Sequence, residues 1–473
     1  MKTIYHIRRG MLKVRKIGIL LAVAVIIGAS GYLYLRSVPP AHQRQLPTPS
    51  QNLPQEDKLA KSQKRAVEED INGYGLENDL KITQNTQDHK KHRVLSLNQE
   101  EQVRLLKNIS PNQMNDVLQV YNTTLPEGIS DQVQYFDFKI SFDYFLITGE
   151  NGGEIRENPA TDAPVICRVN YLDKVTLLQQ AQGQDFQGSD IWYRVACSHG
   201  DKTKEGYLHS STGIPRTFRF DKMQAAAQDL RQQLAKGALH FIRNYKNQYG
   251  APPKKGETAT DEFGYRFYHS APAYEQADAA SNFRYIPDGM LVRLLNETGD
   301  FYHISVPTFG GEYYVPKQYL DPSVTLSTLN HVVVVDRNQQ NQAAFTVNEK
   351  GLNLVSYTLS TTGIPGDYSF ETTLGSFKAI EKKDRFEYLQ KGTSEIGGYA
   401  PFAIRFTGGA YIHGVPVAYV EQGGKKVDPG PTEYLHTIGT YPRSNMCVRN
   451  FTSHARFLYN WMDYKNGAVI VIE

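Results

Sequence analysis

Nineteen consecutive residues without a charge, Ile17 to Leu35 (IGILLAVAVIIGASGYLYL), divide this chain in two before any other folding choice arises. As a helix rising about 1.5 Å per residue, the run is long enough to cross roughly 30 Å of hydrocarbon. Arg8, Arg9, Lys13, Arg15 and Lys16 precede it and only Arg36 follows closely. The positive-inside rule therefore predicts a cytoplasmic basic tail (1–16), a transmembrane anchor (17–35), and an extracytoplasmic bulk in the cell envelope. The small residues Ala29-Ser30-Gly31 keep a cleaved signal peptide open as the alternative, although the length of the run and its tyrosines suit a retained anchor.

Residues 36–94 are rich in Pro, Gln, Lys, Asp and Asn, with no sustained period, and read as a flexible linker. In the region 95–148, Ser96 with Gln99, and Ser110 with Pro111 and Gln113, have the pattern of two helix starts, carrying Val103, Leu106, Val117 and Tyr121 as apolar cover. Further on, 30 tyrosines, 38 glycines and β-branched runs favour a mainly β exterior. The net charge of +3 is dispersed and partly belongs to the basic tail, so no nucleic-acid-binding face is expected.

Two segments, 149–215 and 261–325, share an order of short apolar runs. The first has Glu154-Ile155-Arg156, Val175-Thr176-Leu177-Leu178, Trp192-Tyr193-Arg194-Val195 and Gly206-Tyr207-Leu208. The second has Tyr268-His269-Ser270-Ala271-Pro272, Met290-Leu291-Val292, Phe301-Tyr302-His303-Ile304 and Tyr313-Tyr314-Val315. This order resembles the bacterial SH3-like domain, a small β-barrel, more closely in the first segment than in the second. The resemblance implies wall-peptide binding or positioning of a catalytic domain. Trp192 is then core or a ligand contact, with core favoured. Between the two (216–260), Met223, Ala227, Leu230, Leu234, Ala238, Phe241 and Tyr245 recur at helical spacing, predicting an amphipathic connecting helix of about 25 residues that spaces the modules.

The chain has three cysteines. Cys167 and Cys197 lie in strand-like runs of the first module, where a disulfide and two buried thiols are both open readings. Cys447 is left over, and its setting carries the chemistry: Arg443-Ser444-Asn445-Met446-Cys447-Val448-Arg449-Asn450, with Ile412-His413-Gly414-Val415-Pro416 upstream. A thiol attacks only as thiolate and so needs a nearby base. No Cys/His spacing suggests a metal, and no cofactor is expected.

The strand pattern over 329–473 (Val332-Val333-Val334-Val335, Ala343-Ala344-Phe345, Leu354-Val355-Ser356), the His-Gly turn and the Ser-x-x-Cys-Val-Arg segment resemble the YkuD-type L,D-transpeptidase catalytic domain. That resemblance implies a β-sandwich catalysing peptidoglycan cross-linking through a cysteine acyl-enzyme, with stem peptides as substrate and release of terminal D-alanine. Carried over, Cys447 is the nucleophile and His413 the base. Backbone N–H groups of Met446 and Cys447 stabilise the oxyanion, and Ser444 orients the histidine through its carbonyl. Arg449 lowers the thiol pKa, steers a stem carboxylate or pairs with an acid. Asn445 and Met446 depart from the family's usual His and Gly, and Asn445 is where substrate binding would differ. His436 is a rival base. The same cysteine also fits a carboxypeptidase or an endopeptidase, and the two departures leave a non-catalytic wall-binding protein as a further reading.

Overall fold

The computed structural model describes residues 94–108, 116–138, 140–199, 202–256, 259–366, 369–390, 393–430 and 437–473. The run Ile17 to Leu35, the linker up to residue 93 and His436 lie outside them. No helix among the described residues is long and apolar enough to cross a membrane.

Four consecutive valines are unusual in a strand with one wet face, and the C-terminal domain shows why they are here. Its first sheet has the order Gly375–Lys378, Gly467–Ile472, His331–Asp336, Asn341–Asn348, Gly351–Leu359, Ile129–Asp131. Alternate side chains of a strand point to opposite faces. Val333 and Val335 enter one core with Ile404, Phe406, Ile412 and Val448 of a second sheet. Val332 and Val334 enter another, formed with Phe142, Phe218, Phe220 and Met223 from upstream. A strand buried on both faces needs an unbroken apolar run. The last strand of this sheet, Ile129–Asp131, is supplied from far upstream and pairs in parallel with Leu352–Leu354.

The second sheet is Glu381–Leu389, Ile396–Thr407, Ala410–His413 and Val448–Arg449 in that order, with Val417–Ala418 paired alongside. Helix α3 (Thr452–Trp461) follows the last of these strands. Helix α1 is Gln99–Lys107 and α2 is Phe220–Ala235.

Three helix expectations change. The cap of α1 is Asn98 with Glu101 in a reciprocal box. Ser96 and Gln99 are otherwise engaged: the Ser96 hydroxyl bonds Ser141 and Thr176, and Gln99 Oε1 accepts the Phe142 N–H. The start of the second expected helix, at Ser110, lies outside the described residues. Its supposed body, Val117–Val120, is a strand paired with Lys174–Phe186. The long connector ends at Ala235 because Gly237, at φ +133°, turns the chain. Beyond it Phe241 pairs with Leu291 as strand, and Tyr245 begins a 3-10 turn. Nor does α2 space the modules: Phe220, Met223, Ala227 and Leu230 bury against the outer face of the valine sheet.

The two β-modules repeat one topology. In the first, five antiparallel strands run Val165–Val169, Gly153–Arg156, Lys202–His209, Ser189–His199, Lys174–Phe186, extended by Asp143–Ile147 and Gly213–Thr217. In the second, the corresponding order is Phe283–Pro287, Ser270–Tyr274, Glu312–Pro316, Phe301–Ser305, Leu291–Thr298, extended by His240–Phe241. A 3-10 turn follows the third strand of each order, Ser210–Thr212 and Lys317–Tyr319. Both pairing paths are open rather than closed into the expected barrels. Trp192 is 2% exposed and donates its indole N–H to the Gln184 carbonyl, so it is core. Cys167 and Cys197 are free thiols whose sulfurs stand 3.3 Å apart in a hydrogen bond that raises the Cys197 pKa and lowers that of Cys167.

Candidate active site

Strands Ala410–His413 and Val448–Arg449 run parallel, with Ile412 opposite Val448 and His413 opposite Arg449. Because side chains alternate, Ile412 and Val448 point into the core between the sheets, and Tyr411, His413, Cys447 and Arg449 share the other face. Cys447 is thus the diagonal neighbour of His413. From strand spacing and rise, their Cα atoms are roughly 8 Å apart, a gap that a thiol and an imidazole turned towards each other can bridge.

The resting hydrogen bonds are separate. Cys447 Sγ donates to the Gly409 carbonyl at 3.7 Å. His413 Nδ1 donates to the carbonyl of Gly414 at 2.5 Å, which fixes the proton on Nδ1 and leaves Nε2 as the acceptor. The His413 carbonyl in turn accepts the Asn450 N–H at 2.9 Å. Gly414 is required by closeness: a Cβ there would lie 2.9 Å from Pro401 Cγ and 3.0 Å from Thr452 Oγ1 at the start of α3.

Burial dominates the electrostatics. Cys447 is 8% exposed and His413 3%. Desolvation pushes the thiol up to about 11, against smaller downward pulls from the Tyr411 backbone, Arg449 and Arg266. Desolvation also pushes the imidazole down to about 4, assisted by the Arg449 charge and opposed by the Gly414 hydrogen bond. Both groups are therefore neutral at pH 7. Moving the proton between them in the resting protein is uphill by roughly 10 kcal/mol before their mutual attraction is counted.

The turn before Cys447 is held from behind. Met446 has φ +70°, a left-handed conformation that costs a side-chain-bearing residue about 1–2 kcal/mol. Its carbonyl accepts from Thr372 Oγ1 at 2.9 Å, and the same hydroxyl accepts the Gly363 N–H at 2.8 Å. Gly363 passes so close that a Cβ there would be 2.4 Å from Met446 Cα. Met446 is buried and Asn445 is exposed at the tip.

Ser444 does not orient His413. Its carbonyl accepts the Ile364 N–H at 3.0 Å, and its hydroxyl donates to the Cys447 carbonyl, so it braces the turn instead. The orienting carbonyl belongs to Gly414. Arg449 bonds Thr361 through its backbone in both directions, and its charge acts on both Cys447 and His413.

Other residues join the site. The Phe386 ring stacks on Tyr411 at 4.0 Å and lies 6.5 Å from His413. Phe386 and Lys383 line a cavity of about 300 Å³ whose other wall, Tyr245 and Lys246, comes from the segment before the second β-module. Tyr411 was legible as the residue two before His413 on a strand, and Gly408-Gly409 as a turn. Thr372 and Arg266 carry no signal in the sequence, because only the fold brings them here.

Comparison with known proteins comes down to two domain matches. Residues 330–472 match the YkuD family, described as an L,D-transpeptidase catalytic domain, and residues 151–213 match the bacterial SH3 domain. No curated protein matches. Among solved structures, a fused Zn-dependent amidase/peptidase/peptidoglycan-binding-domain protein from Clostridium acetobutylicum is 13% identical, covering 30% of this chain and 52% of its own, TM-score 0.21. The chain thus spans about half of that protein. An L,D-transpeptidase from Mycobacterium smegmatis is 14% identical over 38% of this chain and 82% of its own, TM-score 0.24. L,D-transpeptidase 3 from Mycobacterium tuberculosis is 16% identical over 34% and 74%, TM-score 0.24.

Proposed function

With a YkuD-type L,D-transpeptidase catalytic domain at residues 330–472 and a bacterial SH3 domain at 151–213, we propose that this protein is a membrane-anchored peptidoglycan L,D-transpeptidase using Cys447 as nucleophile and His413 as base. The observation that carries the reading is the shared face of Tyr411, His413, Cys447 and Arg449, with the His413 tautomer set so that Nε2 can take a proton.

In the proposed cycle the Cys447 side chain turns from Gly409 towards His413 as the stem peptide binds. The S–H proton moves to Nε2 while sulfur attacks the carbonyl carbon of the third stem residue, because a free thiolate is too costly in this pocket to form first. The scissile C–N bond breaks, the proton goes from His413 to the departing D-alanine amine, and a thioester remains. An amine from a neighbouring stem then attacks the thioester, loses its proton to His413 and regenerates the thiol. The amides of Met446 and Cys447, either side of the left-handed Met446 Cα, are the oxyanion donors in this cycle. Ile17 to Leu35 would hold the chain at the membrane, with residues 36–94 reaching towards the wall.

The test is intact-mass measurement of the full-length chain with a tetrapeptide donor or a carbapenem, alongside Cys447→Ala. The expected result is a covalent adduct and D-alanine release only with Cys447 present. No adduct and no release under any condition would replace the enzyme with a wall-binding protein, and product analysis separates transfer from hydrolysis.

A further inference from the structure

Arg266 belongs to the approach to the second β-module, where its neighbourhood is tied by a backbone bridge to Thr260. Its guanidinium nevertheless lies against both turns that fix the nucleophile. On one side, a Cβ at Gly408 would come within 2.9 Å of Arg266 Nη2, and the next residue, Gly409, accepts the Cys447 thiol proton. On the other, the guanidinium carbon stands 4.6 Å from the ring centroid of Phe370. The Phe370 carbonyl abuts Gly363, which in turn backs Met446.

No carboxylate among the described residues pairs with Arg266. The ionisable groups acting on it are Cys447 and Tyr268, and burial pushes it down to about 10. Arg405, at the same boundary between module and catalytic domain, is treated differently: it is bracketed by Asp288 at 2.5 Å and Glu381 at 2.7 Å. Arg266 is half-buried and has no such partner among the described residues, whereas the fold supplies two carboxylates to a structural arginine nearby. His269 cannot serve as the anion. Its Nδ1 accepts the Lys246 N–H at 2.7 Å, and burial, with the charges of Arg266, Arg405 and Lys246, holds it neutral, down to about 3.

We propose that Arg266 receives the terminal carboxylate of the residue released from the donor peptide, so that the second β-module supplies a specificity-determining side chain to the Cys447 site. The inference rests on the transpeptidase reading and sharpens it. In a donor ending one residue past the attacked carbonyl, the carboxylate carbon lies two bonds beyond the scissile nitrogen, on the leaving side of the thiol. A planar guanidinium grips such a group with two parallel hydrogen bonds. A donor extended by another residue, or capped as an amide, loses that grip.

The experiment is calorimetric titration of full-length Cys447→Ala with the stem tetrapeptide and with its C-terminal amide, repeated with Arg266→Gln and Arg266→Lys added. The acid should bind about 10- to 100-fold more tightly than the amide when Arg266 is present. That preference should fall below about threefold with Gln and recover partly with Lys. If Arg266→Gln keeps the preference, or weakens acid and amide alike, the proposal is wrong and Arg266 merely packs on Phe370. The Lys variant carries the same comparison should Gln disturb folding. D-alanine release by the unsubstituted chain is measured separately: its absence, with Arg266-dependent binding intact, would overturn the transpeptidase reading and leave Arg266 only as the receptor of a bound peptide's terminal carboxylate.

Discussion

Met446 offers the sharpest test of how the site is held. It is 4% exposed, so truncation at this position removes a buried side chain, worth about 2–5 kcal/mol. Its φ of +70° adds a conformational cost of about 1–2 kcal/mol that alanine keeps and glycine escapes. Glycine elsewhere is the poorer residue, by about 0.4–1 kcal/mol through its looser unfolded chain. Val448, two residues on in the strand and fully buried, provides the reference. The expected outcome is that alanine is more stable than glycine at 448 by about 1 kcal/mol, while at 446 glycine equals or exceeds alanine. The difference between the two comparisons, about 1–2 kcal/mol, is the strain stored one residue before Cys447. Urea unfolding reports it, followed by Trp461 fluorescence in a Trp192→Phe background. An alanine advantage of the same size at both positions would refute the strain argument and with it the account of how Thr372 and Gly363 fix the turn.

Other outcomes follow from the same geometry. Gly363→Ala places a methyl 2.4 Å from Met446 Cα, so it should destabilise the domain by more than 2 kcal/mol and slow adduct formation, whereas an unchanged melting curve would mean the turn is not clamped. With the thiol near 11 and His413 near 4, iodoacetamide alkylation of Cys447 should climb about tenfold per pH unit from 7 to 10; a plateau at neutral pH would reveal a resting ion pair instead. His413, His269 and His454 are all held neutral, at about 4, 3 and 3, chiefly by burial. The unfolded chain binds more protons than the folded one below about pH 6.5, so stability is full above that value and falls as pH drops towards the folded values. The loss should be about 2 kcal/mol per histidine at pH 5, and urea midpoints that match at pH 7.5 and 5 would contradict it.

How much of this was written in the sequence depends on how local each signal is. Val332 to Val335 announces a strand whatever surrounds it, and the His413 and Cys447 motifs lie on adjacent strands that meet in parallel. The helix extrapolated to Tyr245 failed because Phe241 had a better partner in Leu291 than in its own helical neighbours. Val117 likewise joined a sheet through Ala181, 64 positions away, a pairing no short window contains. The role given to Ser444 went to Gly414 because a carbonyl next door in sequence reaches the imidazole first. Met446 in the place of a glycine was visible as a departure, but its left-handed backbone and the Thr372 hydroxyl behind it exist only once the chain is folded.

The short strand Ile129–Asp131 changes what counts as the smallest working piece of this protein. The family match begins at residue 330, yet the edge of the sheet at Leu352–Leu354 is closed by Ile129–Asp131, 223 positions earlier, and α2 shields the valine face. A fragment cut at the match would bare a row of unpaired amides and a broad apolar surface, the template on which copies stack edge to edge. The family match spans residues 330–472, but the chain folds as a larger unit.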